Sequence, residues 1–197
     1  MRIGLFGGTF DPPHLGHLVL AERCRDECGL DQVWFLPAYR PPHKAAGVSR
    51  FDHRCDMVGL AIVGQPAFRV EPVERELPPP SYTANTLAEL RERHPGDELH
   101  LIVGADTLAD LPNWYEPRRV LEQAGVIAVG RPGAPPPSEL LLGDLAAVAR
   151  LRVVACPLID IPSREVRARA AAGRSIRYLV PRSVEEYIRE KGLYAGG

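Results

Sequence analysis

The chain alternates short apolar runs with longer segments of helical periodicity, and that alternation limits the folds open to it. The runs are "RIGLF" (2–6), "QVWFLP" (32–37), "ELHLIVGAD" (98–106), "GVIAVG" (125–130) and "RVVAC" (152–156), with "FRVEPVE" (68–74) a weaker member. They are apolar through their length and not only at every second position. A strand with one face in water alternates, whereas a strand buried on both faces does not. Helical spacing fills the intervals. In 15–28, Leu15, Leu18, Val19, Ala21 and Cys28 supply a buried stripe. The segments 50–63, 82–94 and 183–194 follow, with Pro95 and Gly96 stopping the third. Ser183, with Glu186 three residues on, predicts a capping box at the start of the last. The expected fold is α/β: a Rossmann-like, doubly wound parallel sheet with helices on both faces. A length of 197 residues suits one domain, 1–197, with a helical C-terminal portion (about 162–194) packed on it. "RPGAPPPS" (131–138) reads as a surface connection, and 138–150 as helical.

Composition narrows the functions. A formal net charge of −1 argues against a nucleic-acid partner. No run of 18 apolar residues offers a membrane span, and no secretory segment opens the chain, so a soluble, cytoplasmic protein is expected. Cys24, Cys28, Cys55 and Cys156 lack zinc-site spacing and read as reduced thiols. From Arg150 to Lys191 there are ten Arg or Lys against five Asp or Glu. That excess suits either an anionic ligand or an arginine-rich solvated surface.

The polar and glycine-rich residues gather just after the apolar runs, where open parallel sheets bind ligands. Residues 7–17, "GGTFDPPHLGH", carry the strongest signal. Gly7 and Gly8 let backbone approach a ligand with no side chain in the way. His14 and His17, three apart, share one face of a helix beginning near His14. A first helical turn also offers unpaired N–H groups and the positive end of the helix dipole, so the arrangement reads as a phosphate site. It is not a P-loop, because "GK[ST]" is missing, and it lacks the third glycine of the dinucleotide fingerprint.

"GGTFDPPHLGH" resembles the HxGH signature of the nucleotidyltransferase superfamily, and specifically its bacterial nicotinate-nucleotide adenylyltransferases. The resemblance continues, in order, through "WFLPAYRPPHK" (34–44), "RFDHRCDM" (50–57), "PSYTANTL" (80–87), "LIVGADTL" (101–108), "LPNWYE" (111–116) and "YLVPRSVEEYIREKGLY" (178–194). The second family signature, of the form "ISSTxxR", departs here. In "IPSREVR" (161–167), Ser163 and Arg167 match, but Pro162 stands where serine is usual and Arg164 where threonine is usual; the signature opens a late helix, which Ser163 would cap with Arg164 and Arg167 on one of its faces. The resemblance implies transfer of AMP from ATP to nicotinate mononucleotide, giving deamido-NAD and pyrophosphate in NAD biosynthesis.

It also implies roles. His14 and His17 would bind the ATP phosphates, with His17 nearest the transferred one, acting as a protonated or donor imidazole. Lys44 and Arg167 would complete the phosphate grip, Lys44 also reaching the mononucleotide. Gly7, Gly8, Thr9 and Phe10 would lie along ATP, with Ser163 and Arg164 beside it. Gly104 and Asp106 would sit between the two substrates. Trp114 and Tyr115, with Thr83 opposite, would form the nicotinate end. Mg2+ would come with the ATP phosphates and not on a protein site. Alternatives are a nicotinamide-mononucleotide or pantetheine-phosphate adenylyltransferase, or a non-catalytic nucleotide-binding regulator. ATP and nicotinate mononucleotide are the expected partners, with no nucleic acid and no membrane; assembly into a homo-oligomer is left open.

Overall fold

The computed structural model describes residues 1–40, 47–130, 144–157 and 159–195. Six strands form one sheet: β1 (Arg2–Gly8), β2 (Gln32–Pro37), β3 (Phe68–Val70), β4 (Glu98–Gly104), β5 (Gly125–Gly130) and β6 (Leu151–Ala155). Their order is β3-β2-β1-β4-β5-β6, and every neighbouring pair is parallel. This is the expected doubly wound sheet, with β1 and β4 at its centre.

The apolar runs divide by residue parity into two cores, as the two-residue repeat of a strand requires. Ile3, Leu5, Trp34, Leu36, Leu99 and Leu101 belong to one cluster. Phe6, Val33, Phe35, Ile102, Ile127 and Val129 belong to the other. Helices α3 (Thr83–Arg93), α4 (Ala105–Asp110) and α5 (Pro117–Gln123) cover the first face through Leu87, Leu90, Leu108, Val120 and Leu121. Helix α1 (Leu15–Cys28) covers the second through Ala21, Cys24 and Cys28. Its predicted limits are observed, and Gly29 ends it at φ 59, in the left-handed region that favours glycine. Val19 does not join the stripe: it is exposed, and Cys24 takes the inward position. All four cysteines are free thiols.

A third cluster joins α2 (Phe51–Ala61), α7 (Ser163–Ala171) and α8 (Arg182–Glu190) through Met57, Val166, Ile176, Val180, Val184 and Ile188. The remaining helix, α6 (Asp144–Val148), falls inside the expected 138–150 segment. Lys44, the proline-rich 131–138 and the start of that segment lie outside the described residues. Among the described residues, no helix is long and apolar enough to cross a membrane.

Three local expectations are corrected. The strand drawn over 68–74 stops at Val70, and Val73–Arg75 form a 3-10 turn, since Pro72 has no N–H for a ladder. Ser183 does not cap α8. It lies inside the first turn, its hydroxyl donates to the Leu60 carbonyl (2.9 Å), and Glu186 pairs with Arg182 instead (2.8 Å). Ser163 does not cap α7 either; Pro162 holds that position, and the Ser163 hydroxyl is drawn to the Pro12 carbonyl (3.0 Å).

Ile188, 4% exposed, lies one helical turn beyond Val184 and holds α8 to the rest of the chain. Ile188→Ala should cost about 3 kcal/mol through lost burial and the cavity left behind. A fall in the urea midpoint of unfolding, at unchanged slope, would report it.

Candidate active site

Chain direction places the crevice. From β1 the chain moves outward to β2 and β3; from β4 it moves the other way, to β5 and β6. Beyond the carboxyl ends of β1 and β4 the connecting segments therefore diverge, and a gap opens between them. Three cavities occupy this gap. One of 410 Å³ is lined by Gly7, Gly8, Thr9, Glu74, Thr83 and Trp114, among others. A second, of 620 Å³, includes Tyr82, Thr83, Asp106, Trp114 and Tyr115. A third, of 220 Å³, includes Gly16, Gly104, Asp106 and Cys156. Thr107 lines all three, so they are compartments of one crevice.

At the end of β1, a Cβ on Gly8 would lie 2.9 Å from Cζ of Phe10. Phe10 is 2% exposed, holds φ 50, and packs edge-on against Phe6 and His17. Glycine at position 8 is thus what lets the chain fold back tightly enough to bury that ring. Gly7 faces open space. The Thr9 carbonyl accepts a bond from Arg54 (2.8 Å), an arginine only 1% exposed. The Asp11 carbonyl accepts from Arg167 (2.7 Å), so α7 is moored to the same loop that presents the histidines.

His14 is the cap residue of α1 and His17 lies in its first turn. The His14 backbone N–H donates to Nδ1 of His17 (3.1 Å), and the His17 N–H bonds back to the His14 carbonyl (3.0 Å). The rings stack, 3.5 Å between centroids. Because Nδ1 of His17 accepts, the neutral ring must carry its proton on Nε2. Burial pushes the pKa of His14 down to about 4; burial and the adjacent His14 push His17 down to about 3. Of the two states expected for these imidazoles, the uncharged donor is therefore the one present near neutral pH, not the cation. Nδ1 of His14 is buried without a hydrogen-bond partner among the described residues.

The remaining expected site residues fall around the crevice unevenly. Asp106 is exposed on the first turn of α4, directly after Gly104. Trp114 is half-buried against the core, and its N–H is used by Leu111 (3.0 Å). Tyr115 is stacked on Tyr82 (4.5 Å), and its N–H has no partner among the described residues. Arg164 is exposed on α7 and bonds to no described residue. Lys44 cannot be placed, as it lies outside the described residues.

Three residues join the site without having been singled out. Tyr82 was visible only as part of "PSYT". Glu74 lines the first cavity; it accepts from the Tyr39 N–H (3.0 Å) and the Thr86 hydroxyl (3.3 Å), and burial raises its pKa. Arg54 is hidden beneath the loop it supports. A charged residue in a helical or strand pattern signals a surface, so neither Glu74 nor Arg54 stands out in the sequence.

Residues 5–169 match the family described as cytidylyltransferase-like. A protein of Thermus thermophilus described as a probable nicotinate-nucleotide adenylyltransferase is 46% identical over 98% of this chain and 100% of its own length. One of Salinibacter ruber with the same description is 44% identical over 98% of both chains. Among solved structures, the Plasmodium falciparum nicotinic acid mononucleotide adenylyltransferase complexed with NaAD superimposes with a TM-score of 0.79. It covers 98% of this chain and 97% of that one at 18% identity, which speaks to the fold alone.

The lowered histidine pKa values have a consequence for stability. Both lie below the 6.5 of an unperturbed imidazole, so below that pH the unfolded chain takes up protons that the folded one does not. Stability from this source is intact above about pH 6.5 and lost as pH falls toward 4, by up to about 1.4 kcal/mol per pH unit for each histidine. Urea unfolding at about pH 7.5 and about pH 5 checks this. The parent should lose more stability over that interval than a His14→Gln, His17→Gln double variant; equal losses would remove the argument.

Proposed function

The chain belongs to the cytidylyltransferase-like family and, within it, to the nicotinate-nucleotide adenylyltransferases, and from that membership we propose that it transfers AMP from ATP to nicotinate mononucleotide, in NAD biosynthesis. An oxygen of the mononucleotide 5′-phosphate bonds to the α-phosphorus of ATP. The α–β phosphoanhydride bond breaks, its electron pair leaving with pyrophosphate, and deamido-NAD is formed. The nucleophile is already an anion and needs no strong base. Rate must come from alignment and from stabilising charge on the phosphoryl oxygens.

The observation that carries this reading is the Nε2–H of His17, fixed by the bond its own Nδ1 accepts and carried on the first turn of α1. A neutral donor with a set tautomer can stabilise charge developing on the α-phosphate. His14 supplies the second imidazole, and Arg167 the cation, beside a glycine-lined wall formed by Gly7, Gly8, Thr9 and Phe10. Lys44 adds a further positive charge to the phosphates of both substrates. Ser163 steadies the loop through Pro12, and Arg164 extends the positive field of α7. Gly104 and Asp106 lie between the compartments, where a carboxylate accepts ribose hydroxyls.

The pyridine ring takes the compartment of Thr83, Trp114 and Tyr115, where the unpartnered Tyr115 N–H suits the nicotinate carboxylate. Mg2+ would be held by the ATP phosphates. The donor set fits that arrangement, since the groups at the start of α1 donate hydrogen bonds and the nearest loop carboxylate, Asp11, is only 2% exposed. When bound, the ion neutralises phosphate charge and steadies the leaving group.

Pyrophosphate release with each mononucleotide tests the function. An amide nitrogen in place of a carboxylate oxygen would leave donors facing donors, at a cost of roughly 1–3 kcal/mol. Nicotinate mononucleotide should be preferred over the nicotinamide form by about tenfold or more in kcat/KM, and equal use would overturn the substrate assignment. His17→Ala should lower kcat by about a hundredfold, the usual loss of one transition-state donor, while mononucleotide binding changes little. A kcat within threefold of the parent would sink the role given to His17.

A further inference from the structure

We propose that Tyr194 is a positioning residue for the phosphate grip, acting through Asp11. The backbone between β1 and α1 follows the two glycines and delivers His14. Asp11 lies in its middle and is 2% exposed. Each of its three oxygens is tied to a different part of the chain. Oδ1 accepts from the Tyr194 hydroxyl (2.5 Å), Oδ2 from the Ser49 N–H (3.1 Å), and the main-chain carbonyl from Nη1 of Arg167 (2.7 Å). The same residue thus holds the arginine assigned to the phosphates at one end and the Tyr194 phenol at the other.

Tyr194 is itself held in place for this. It sits beyond α8 at φ 64, a backbone state that side chains other than glycine adopt at some cost and keep only where contacts enforce it. Its ring packs with the Met57 and Val184 cluster, and its hydroxyl also lies 3.9 Å from Sδ of Met57. Burial, and then the Asp11 carboxylate beside it, raise the phenol's pKa well above its ordinary value, so it is a hydrogen-bond donor at any working pH. Without that donor, a buried carboxylate keeps one backbone N–H partner and the nearby Arg54. Asp11 is then held at one side-chain oxygen fewer, and a shift of the loop backbone that carries it would move the carbonyl that Arg167 grips. ATP sites should feel this, and the pyridine compartment around Trp114 should not.

The proposal rests on the adenylyl-transfer reading above for its choice of ligands. Tyr194→Phe keeps the ring and removes the donor. In the full-length chain, calorimetric Kd for ATP should weaken about tenfold, with KM for ATP rising in parallel, while Kd for nicotinate mononucleotide stays within twofold. Asp11→Asn keeps an oxygen for Tyr194 but turns a donor toward the Ser49 N–H; it should show the same selective loss, and it serves if the tyrosine variant does not fold. In the Asp11→Asn background, Tyr194→Phe should add less than a further twofold, because the two act as one unit. A residue that only anchored the C-terminal segment would lower the active fraction or weaken both substrates alike. ATP affinity within twofold of the parent in Tyr194→Phe, equal weakening of both substrates, or losses that multiply in the double variant would each overturn the proposal. A parent that binds ATP but joins it to no mononucleotide would overturn the transfer reading instead, leaving the ATP-affinity comparison intact.

Discussion

A parallel sheet buried on both faces cannot place function along its strands, because both faces are filled by helices. What it leaves is its carboxyl edge, and on that edge only one place where connections leave in opposite directions. Here that place lies between β1 and β4. The glycines and Asp106 line it because they end β1 or open the helix after β4, Trp114 lines it from the connection between α4 and α5, and the histidine pair starts the helix that follows the glycine turn. The residue types at the site answer to a second demand, that anionic substrates be held beside an apolar core. The ring of Phe10 lies against His17, so the imidazole proposed to donate to phosphate has hydrocarbon at its side.

That neighbour explains the state of the histidines. An imidazolium beside phenylalanine rings would pay a desolvation cost that solvent could not offset. The chain keeps both rings neutral and uses one nitrogen of His17 as a cap acceptor, which leaves the other to donate. One side chain therefore satisfies the orphaned N–H of the helix start and keeps a second nitrogen as a donor. A serine or aspartate would cap α1 as well, but neither would leave a rigid donor behind.

The sheet and α1 were legible because their signals are local: continuous apolar runs, a glycine turn, a three-residue histidine spacing. The caps expected at Ser163 and Ser183 failed for the opposite reason. Each hydroxyl found a carbonyl far away in the chain, at Pro12 and at Leu60, and a distant acceptor leaves no mark in neighbouring residues. Arg54 and Glu74 were hidden similarly, since their burial depends on partners at Thr9, Ser49, Tyr39 and Thr86. Trp114, Tyr115 and Thr83 were reached through family resemblance and not through periodicity, which assigns an aromatic near a core no task of its own.

The loop that carries the site is closed by the most distant bonds its residues make. Ser163 to Pro12 spans 151 residues, Arg167 to Asp11 spans 156, and Tyr194 to Asp11 spans 183. Contacts of such separation form late, because the loops they close are costly to bring together until other structure has shortened them. The central strands can pair, and α1 can dock, while residues 9–14 still have no fixed path. The phosphate recognition proposed for this loop would then be a property of the fully docked chain. A ligand that binds only this finished arrangement draws the whole folding equilibrium toward it, so occupancy of a small loop reports on, and reinforces, the docking of helices most of the sequence away.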